Sequence, residues 1–127
     1  MAAGLRGTRA LAEQMRQRLE EVDVFVLPTL PVVAQPIGAT RVAIGGQDLA
    51  VIDILTRCVS PFNATHLPAL SVPCGFTAAG LPIGLQIAGR PFDEATVLRV
   101  GHAYEQATEW HLRRPGGLGW VRRAVGS

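Results

Sequence analysis

Between Asn63 and Gly75 the sequence reads NATHLPALSVPCG, which places His66, Ser71 and Cys74 within nine residues. Histidine beside serine or cysteine is the pairing of nucleophilic catalysis, in which an imidazole takes the proton of a hydroxyl or thiol. The two groups must then meet within hydrogen-bond reach. In extended backbone each residue advances about 3.3 Å and successive side chains alternate faces. His66 and Ser71, five positions apart, point to opposite faces and stand roughly 17 Å apart. Ser71 and Cys74 also face opposite ways, while His66 and Cys74 share a face at about 26 Å. No dyad fits within this segment.

Each residue taken alone has a plainer role. Ser71 lies between Leu70 and Val72 with no Gly-x-Ser-x-Gly elbow around it, and reads as a small packed strand residue. Cys74 and Cys58 read as small buried hydrophobes. With only these two cysteines and no Cys-x-x-Cys pair, neither a disulfide framework nor a zinc or redox motif is expected. His66 precedes a Leu-Pro turn and remains a candidate for lining a pocket. Gly80, Gly84 and Gly89 do not have phosphate-cradling spacing. Asp93 and Glu94 suit a helix start better than a general acid. No cofactor and no metal is expected.

All twelve basic residues are arginine, and the chain contains no lysine. Any mechanism needing a lysine base or Schiff base is therefore impossible within it. The formal net charge of +2 exerts no strong pull on nucleic acid or anionic membrane. Near the end Arg113, Arg114, Arg122 and Arg123 accompany Trp110 and Trp120, a composition that could touch nucleic acid. Solvated arginines near a chain end are commoner, and no nucleic-acid partner is expected.

The elements that must position these residues follow from periodicity. Leu11, Met15, Leu19 and Val22 recur at helical spacing and predict an amphipathic surface helix, not a targeting peptide. The run Asp23–Thr29, DVFVLPT, predicts a strand buried on both faces. Three prolines, Pro28, Pro31 and Pro36, then make an ordered loop, and a small hairpin forms around Gly45 and Gly46. A short helix is expected before Pro61. PALSVP (68–73) and IGLQIAG (83–89) predict two antiparallel strands joined by a turn-rich link. From Asp93 the period becomes helical, with Phe92 expected to staple onto Val97, and with Val97, Val100, Gly101, Tyr104 and Ala107 forming one stripe. Residues 116–127 are expected to be a loose tail. At 127 residues, 48% hydrophobic and 17% charged, the chain suits one globular α/β domain in a reducing, cytoplasmic setting. No run is long enough to span a membrane as a helix, and no membrane partner is expected. Yet strands buried on both faces need more cover than two substantial helices supply. Either the chain self-associates through its sheet, or it is part of a larger domain.

Three stretches resolve that choice. DVFVLPTLPVVAQPIG, PFNATHLPALSVPCGF and GLPIGLQIAGRPFDEATVLRVGHAYEQATEWH resemble, in order and spacing, the closing part of the amidase signature enzymes. The resemblance covers residues 5–115 and implies the C-terminal part of an α/β fold, a mixed sheet covered by helices, incomplete as a stand-alone domain. Family members hydrolyse amides, or release ammonia from glutamine, with a Ser–Ser–Lys triad and an oxyanion held by backbone N–H groups. That machinery sits in an earlier Gly- and Ser-rich region. Here the serines are Ser60, Ser71 and Ser127, and none matches the motif. The resemblance thus implies no catalytic residue in this chain, with residues 1–115 as a C-terminal segment lending sheet core and part of a pocket for a small-molecule amide. Thr29 and Pro31 on one loop, and Asn63, Thr65 and His66 on another, are the pocket candidates it suggests. A glycine is usual in the family where His66 stands.

In glutamine-dependent tRNA amidotransferases the glutamine-hydrolysing chain of this family typically carries an aspartate five residues before the motif's proline. Here that position is Thr56, with the nearest acid at Asp53. This departure, with the ending EQATEWHLRRP, points to a general amide hydrolase fragment, inactive alone, as in a truncated or split gene product. A fragment of the amidotransferase A-type chain and a non-catalytic binding or interaction module are the alternatives. The missing N-terminal amidase portion, or a second copy meeting the exposed sheet, is the expected partner.

Overall fold

The computed structural model describes residues 2–114, with side chains described from residue 7 onward. The expected tail therefore lies outside the described residues. Helix α1 (Ala2–Glu21) leads to strand β1 (Val24–Pro28), a long loop, and the hairpin β2 (Arg41–Ile44) and β3 (Gln47–Ala50). Helices α2 (Val51–Arg57) and α3 (Ser60–Thr65) precede strands β4 (Ala69–Phe76) and β5 (Pro82–Gly89), and helix α4 (Glu94–Ala107) follows. A single 3₁₀ turn at Trp110–Leu112 closes the described chain.

Turn chemistry accounts for both hairpins. Gly45 and Gly46 both have positive φ, the geometry of a two-residue turn that matches strand twist. Between β4 and β5, Gly80 takes a φ of 79°, and the Thr77 hydroxyl accepts from the Leu81 N–H at 3.1 Å. The main sheet has the order β1-β5-β4 with antiparallel pairing throughout. Cys74 is the extra residue of a bulge between Pro73 and Gly75, and both cysteines are free and half-buried.

Side chains directly paired across antiparallel strands share a face. On one face Phe25, Leu27 and Ala88 pack with Met15 and Leu19 of α1 and with Phe62 and Leu67. On the other, Val24, Leu70, Val72, Leu85 and Ile87 meet Val97, Val100 and Tyr104 of α4. The short helix α3 thus helps α1 with a face that α1 alone would leave open. At Gly101 the packing is tight enough that a Cβ would overlap the Leu70 side chain.

Arg90 joins three elements at the end of β5. Its Nε donates to the Leu19 carbonyl at 2.8 Å and its Nη2 to the Val22 carbonyl at 3.0 Å, satisfying carbonyls at the end of α1. The same guanidinium reaches Asp23 at 3.3 Å and lies 4.0 Å from Asp93, whose carboxylate caps α4 by accepting from the Thr96 N–H.

Four expectations need correction. β1 is an edge strand, with β5 on one side only, and its Val26 is 55% exposed. The segment around Pro61 is two helices, because proline in a first helical turn lacks only an N–H that would be unpaired anyway. Phe92 does not staple onto Val97; it takes a φ of 62° and is 95% exposed. Ala107, at the last position of α4, is exposed. The hairpin, the β4–β5 pair and the Asp93 cap are as the sequence indicates.

Candidate functional site

Where β1 leaves the sheet, backbone pairing continues one residue beyond Pro28, with the Thr29 N–H donating to the Gly84 carbonyl at 2.9 Å. Thr29 is thereby held over β5 on the same face as Ser71 of β4. The two hydroxyl oxygens lie 2.6 Å apart. Gly84 makes this possible: a Cβ there would stand 2.7 Å from Thr29 Oγ1 and 3.0 Å from Ser71 Oγ. Only a residue without a side chain lets the hydroxyls meet above the strand.

Around this pair opens a cleft of about 530 Å³, lined by residues 29–34, 71–73 and 82–84. Apart from the two hydroxyls its lining side chains are apolar, and none is charged. Such a surface holds an apolar group and orients it by one hydrogen bond. It cannot activate Ser71, because among the described residues no histidine, lysine or carboxylate lines the cleft to take its proton. Ser71 is exposed to this cleft rather than packed in the core, which corrects its reading from the sequence.

The remaining candidates go elsewhere. Thr65 is buried at 4% exposure, and its hydroxyl donates to the Pro61 carbonyl at 2.7 Å, one helical turn back. His66 ends α3 with a φ of 58°, a left-handed cap whose N–H donates to the Phe62 carbonyl. Glycine adopts this conformation without steric cost, which gives a physical reason for a glycine to be usual there. Thr65 and His66 line a second cleft of about 560 Å³ against α1, with Arg9, Glu13 and Arg16. Asn63 is exposed on α3 and lines neither cleft. The second expected loop is instead the end of helix α3; the structure brings Thr29 together with Pro31, and Thr65 together with His66, but does not unite the two groups. His66 and Ser71 open onto different clefts, and Cys74 sits at the bulge, so no nucleophile–base pair forms among them.

Sequence reasoning missed Ser71 and Gly84. The signal was present in strand parity: Ser71 lies opposite Gln86, and Gly84 is two residues back on that same face. What could not be read was that Thr29 crosses above them. Among the described residues no group of three or more His, Cys, Asp or Glu could hold a metal ion. No helix among them is long and apolar enough to cross a membrane. Thr56, which stands where the amidotransferases typically carry aspartate, is exposed and donates its hydroxyl to the Ile52 carbonyl at 3.2 Å. It lines neither cleft.

Comparison with known proteins places this architecture. The family model for amidases matches residues 3–98. The A-type chain of the glutamyl-tRNA(Gln) amidotransferase of Roseiflexus sp. (strain RS-1) is 51% identical over 100 residues, covering 79% of this chain and 19% of that protein. The 6-aminohexanoate cyclic dimer hydrolase structure superposes with a TM-score of 0.77 at 29% identity, over 91% of this chain and 26% of that one. The corresponding glutamyl-tRNA(Gln) amidotransferase chain of Thermotoga maritima gives 0.69 at 29% identity, over 85% and 22%. The chain spans about a fifth of the curated relatives' length, its fold is the corresponding fragment of theirs, and it belongs to the amidase family.

Proposed function

We propose that this chain contributes three strands of sheet core and one wall of the substrate cleft to an enzyme that hydrolyses carboxylic amides to carboxylate and ammonia or amine, and that it is catalytically silent alone. The cleft beside the Thr29–Ser71 pair carries the reading. It is shaped to hold an apolar group, yet it contains a serine with no base, in a chain with no lysine. In this reading the Ser–Ser–Lys machinery comes from the remainder of the domain, which packs against the sheet edges and the exposed apolar residues. Pro31 shares the cleft with Thr29, whereas Thr65 and His66 line the separate cleft against α1 and Asn63 lines neither.

A second reading is that the amide is that of glutamine, in a tRNA-dependent amidotransferase. The 51% identity to the Roseiflexus protein favours it. Thr56, standing where those amidotransferases typically carry aspartate, favours the general hydrolase.

The test is ammonia release by the purified chain, and by a chimera in which this chain replaces the matching segment of a relative that supplies the triad. The chain alone is expected to give none and the chimera to hydrolyse amides. Turnover by the chain alone, abolished by a serine-directed reagent, would overturn the proposal; so would a folded but inactive chimera. Preference of the chimera for glutamine over apolar amides would select the second reading.

A further inference from the structure

After α4, Trp110 and Arg113 sit against β4, away from the Thr29–Ser71 pair. The Arg113 guanidinium lies 4.0 Å from the centroid of the Phe76 ring on β4. Trp110 stands 6.2 Å from the same ring, tilted by 49°. With the β4–β5 turn they line an open cavity of about 580 Å³, which Arg114 and His111 also border. Among the described residues no carboxylate lines it. Arg113 and Arg114 form no ion pair among the described residues. Arg114 donates one N–H to the His111 carbonyl at 2.8 Å, which holds the guanidinium at the rim. The His111 Nδ1 is buried with no hydrogen-bond partner, so the wall itself carries an unmet polar group.

Two uncompensated guanidinium groups beside an aromatic wall have complementary needs. A guanidinium pairs in a planar, bidentate way with carboxylate or phosphate oxygens. The indole face, and the ring already stacked by Arg113, favour a flat apolar group. We propose that this cavity binds a small planar anion, a carboxylate or phosphate carried on an aromatic ring. The proposal does not rest on the amide-hydrolysing reading, because binding is read without turnover and the cavity shares only Pro73 and Pro82 with the cleft.

The experiment titrates the isotope-labelled full chain with benzoate and with phenyl phosphate, following the amide signals of Phe76 and His111 and the indole N–H of Trp110. Benzyl alcohol and inorganic phosphate, each lacking one half of the ligand, are the controls. At least one aromatic anion is expected to give saturable shifts at these three residues, at roughly tenfold lower concentration than either control. The stronger of the two identifies the preferred anionic group. Arg114→Gln is expected to weaken binding about tenfold and Arg114→Lys to restore part of it. Arg113→Gln, which also removes the stack on Phe76, serves as the second variant. Equal binding of benzyl alcohol, equal binding of inorganic phosphate, absence of saturable shifts, or indifference to both glutamine variants would overturn the proposal.

Discussion

Arg90→Met removes a clamp without removing the aliphatic stem. The guanidinium donates to two carbonyls at the end of α1, at 2.8 and 3.0 Å, and its contacts to Asp23 and Asp93 are longer. A hydrogen bond involving a charged group contributes about 1.5–3 kcal/mol net. The Arg90 side chain is 39% exposed and Asp23 is 81% exposed, so water screens the ion pairs to well under about 1 kcal/mol. Taking both carbonyl bonds at the low end gives a loss of about 3 kcal/mol. With a urea slope of about 1.5 kcal/mol per molar, the unfolding midpoint should fall by roughly 2 M. Urea titration followed by far-UV circular dichroism measures this, with Asp23→Asn as the control, expected to cost less than about 1 kcal/mol. Arg90→Lys keeps the charge but loses the planar fork, so it should recover no more than half. A midpoint shift for Arg90→Met no larger than that of Asp23→Asn would refute the clamp, and wild-type behaviour of Arg90→Lys would refute the role of its geometry.

Other expectations follow from particular contacts. His66→Gly should stabilise the chain: a left-handed residue with a side chain costs roughly 1–2 kcal/mol, and glycine's extra chain entropy takes back about 0.5–1 kcal/mol. A thermal melt should show a higher midpoint, and a lower one would contradict the strain. Gly101→Ala should destabilise by about 1–2 kcal/mol, overpacking against Leu70 outweighing the gain in helix propensity; an unchanged or raised melting temperature would count against that packing. Thirteen large hydrophobic residues are exposed among the described residues, against seven buried in the core beside Ala88. The isolated chain should therefore bind an apolar-surface dye and self-associate on size-exclusion chromatography. A compact, dye-silent monomer would oppose incompleteness.

Periodicity and turn chemistry carried most of the secondary structure. The Gly45–Gly46 hairpin, the β4–β5 pair and the Asp93 cap are local in cause, since a few neighbouring residues dictate the φ angles and the first hydrogen bonds. Before Pro61 one short helix was legible, but the second, Ser60–Thr65, was read as a loop, because Pro61 ends one helix or starts another with equal local ease. Phe92 was misplaced because its position depends on a left-handed backbone that hydrophobic pattern does not encode. β1 read as fully buried because VFVLP is apolar throughout, whereas among the described residues only β5 pairs with it.

Composition alone determined that no lysine-dependent chemistry can occur here, because a missing residue type is missing in every conformation. Strand geometry led to the expectation that His66, Ser71 and Cys74 stand apart, but His66 lies outside β4 at the left-handed end of α3 and Cys74 at a bulge, so the helix end and the bulge are what part them. Which hydroxyls meet was another matter. Thr29 and Ser71 are 42 residues apart, and they touch only because β5 lies between their strands and Gly84 carries no side chain. The Arg90 clamp, likewise, joins residues some seventy positions apart. Such contacts depend on register and strand order, which long-range packing decides and local sequence pattern does not.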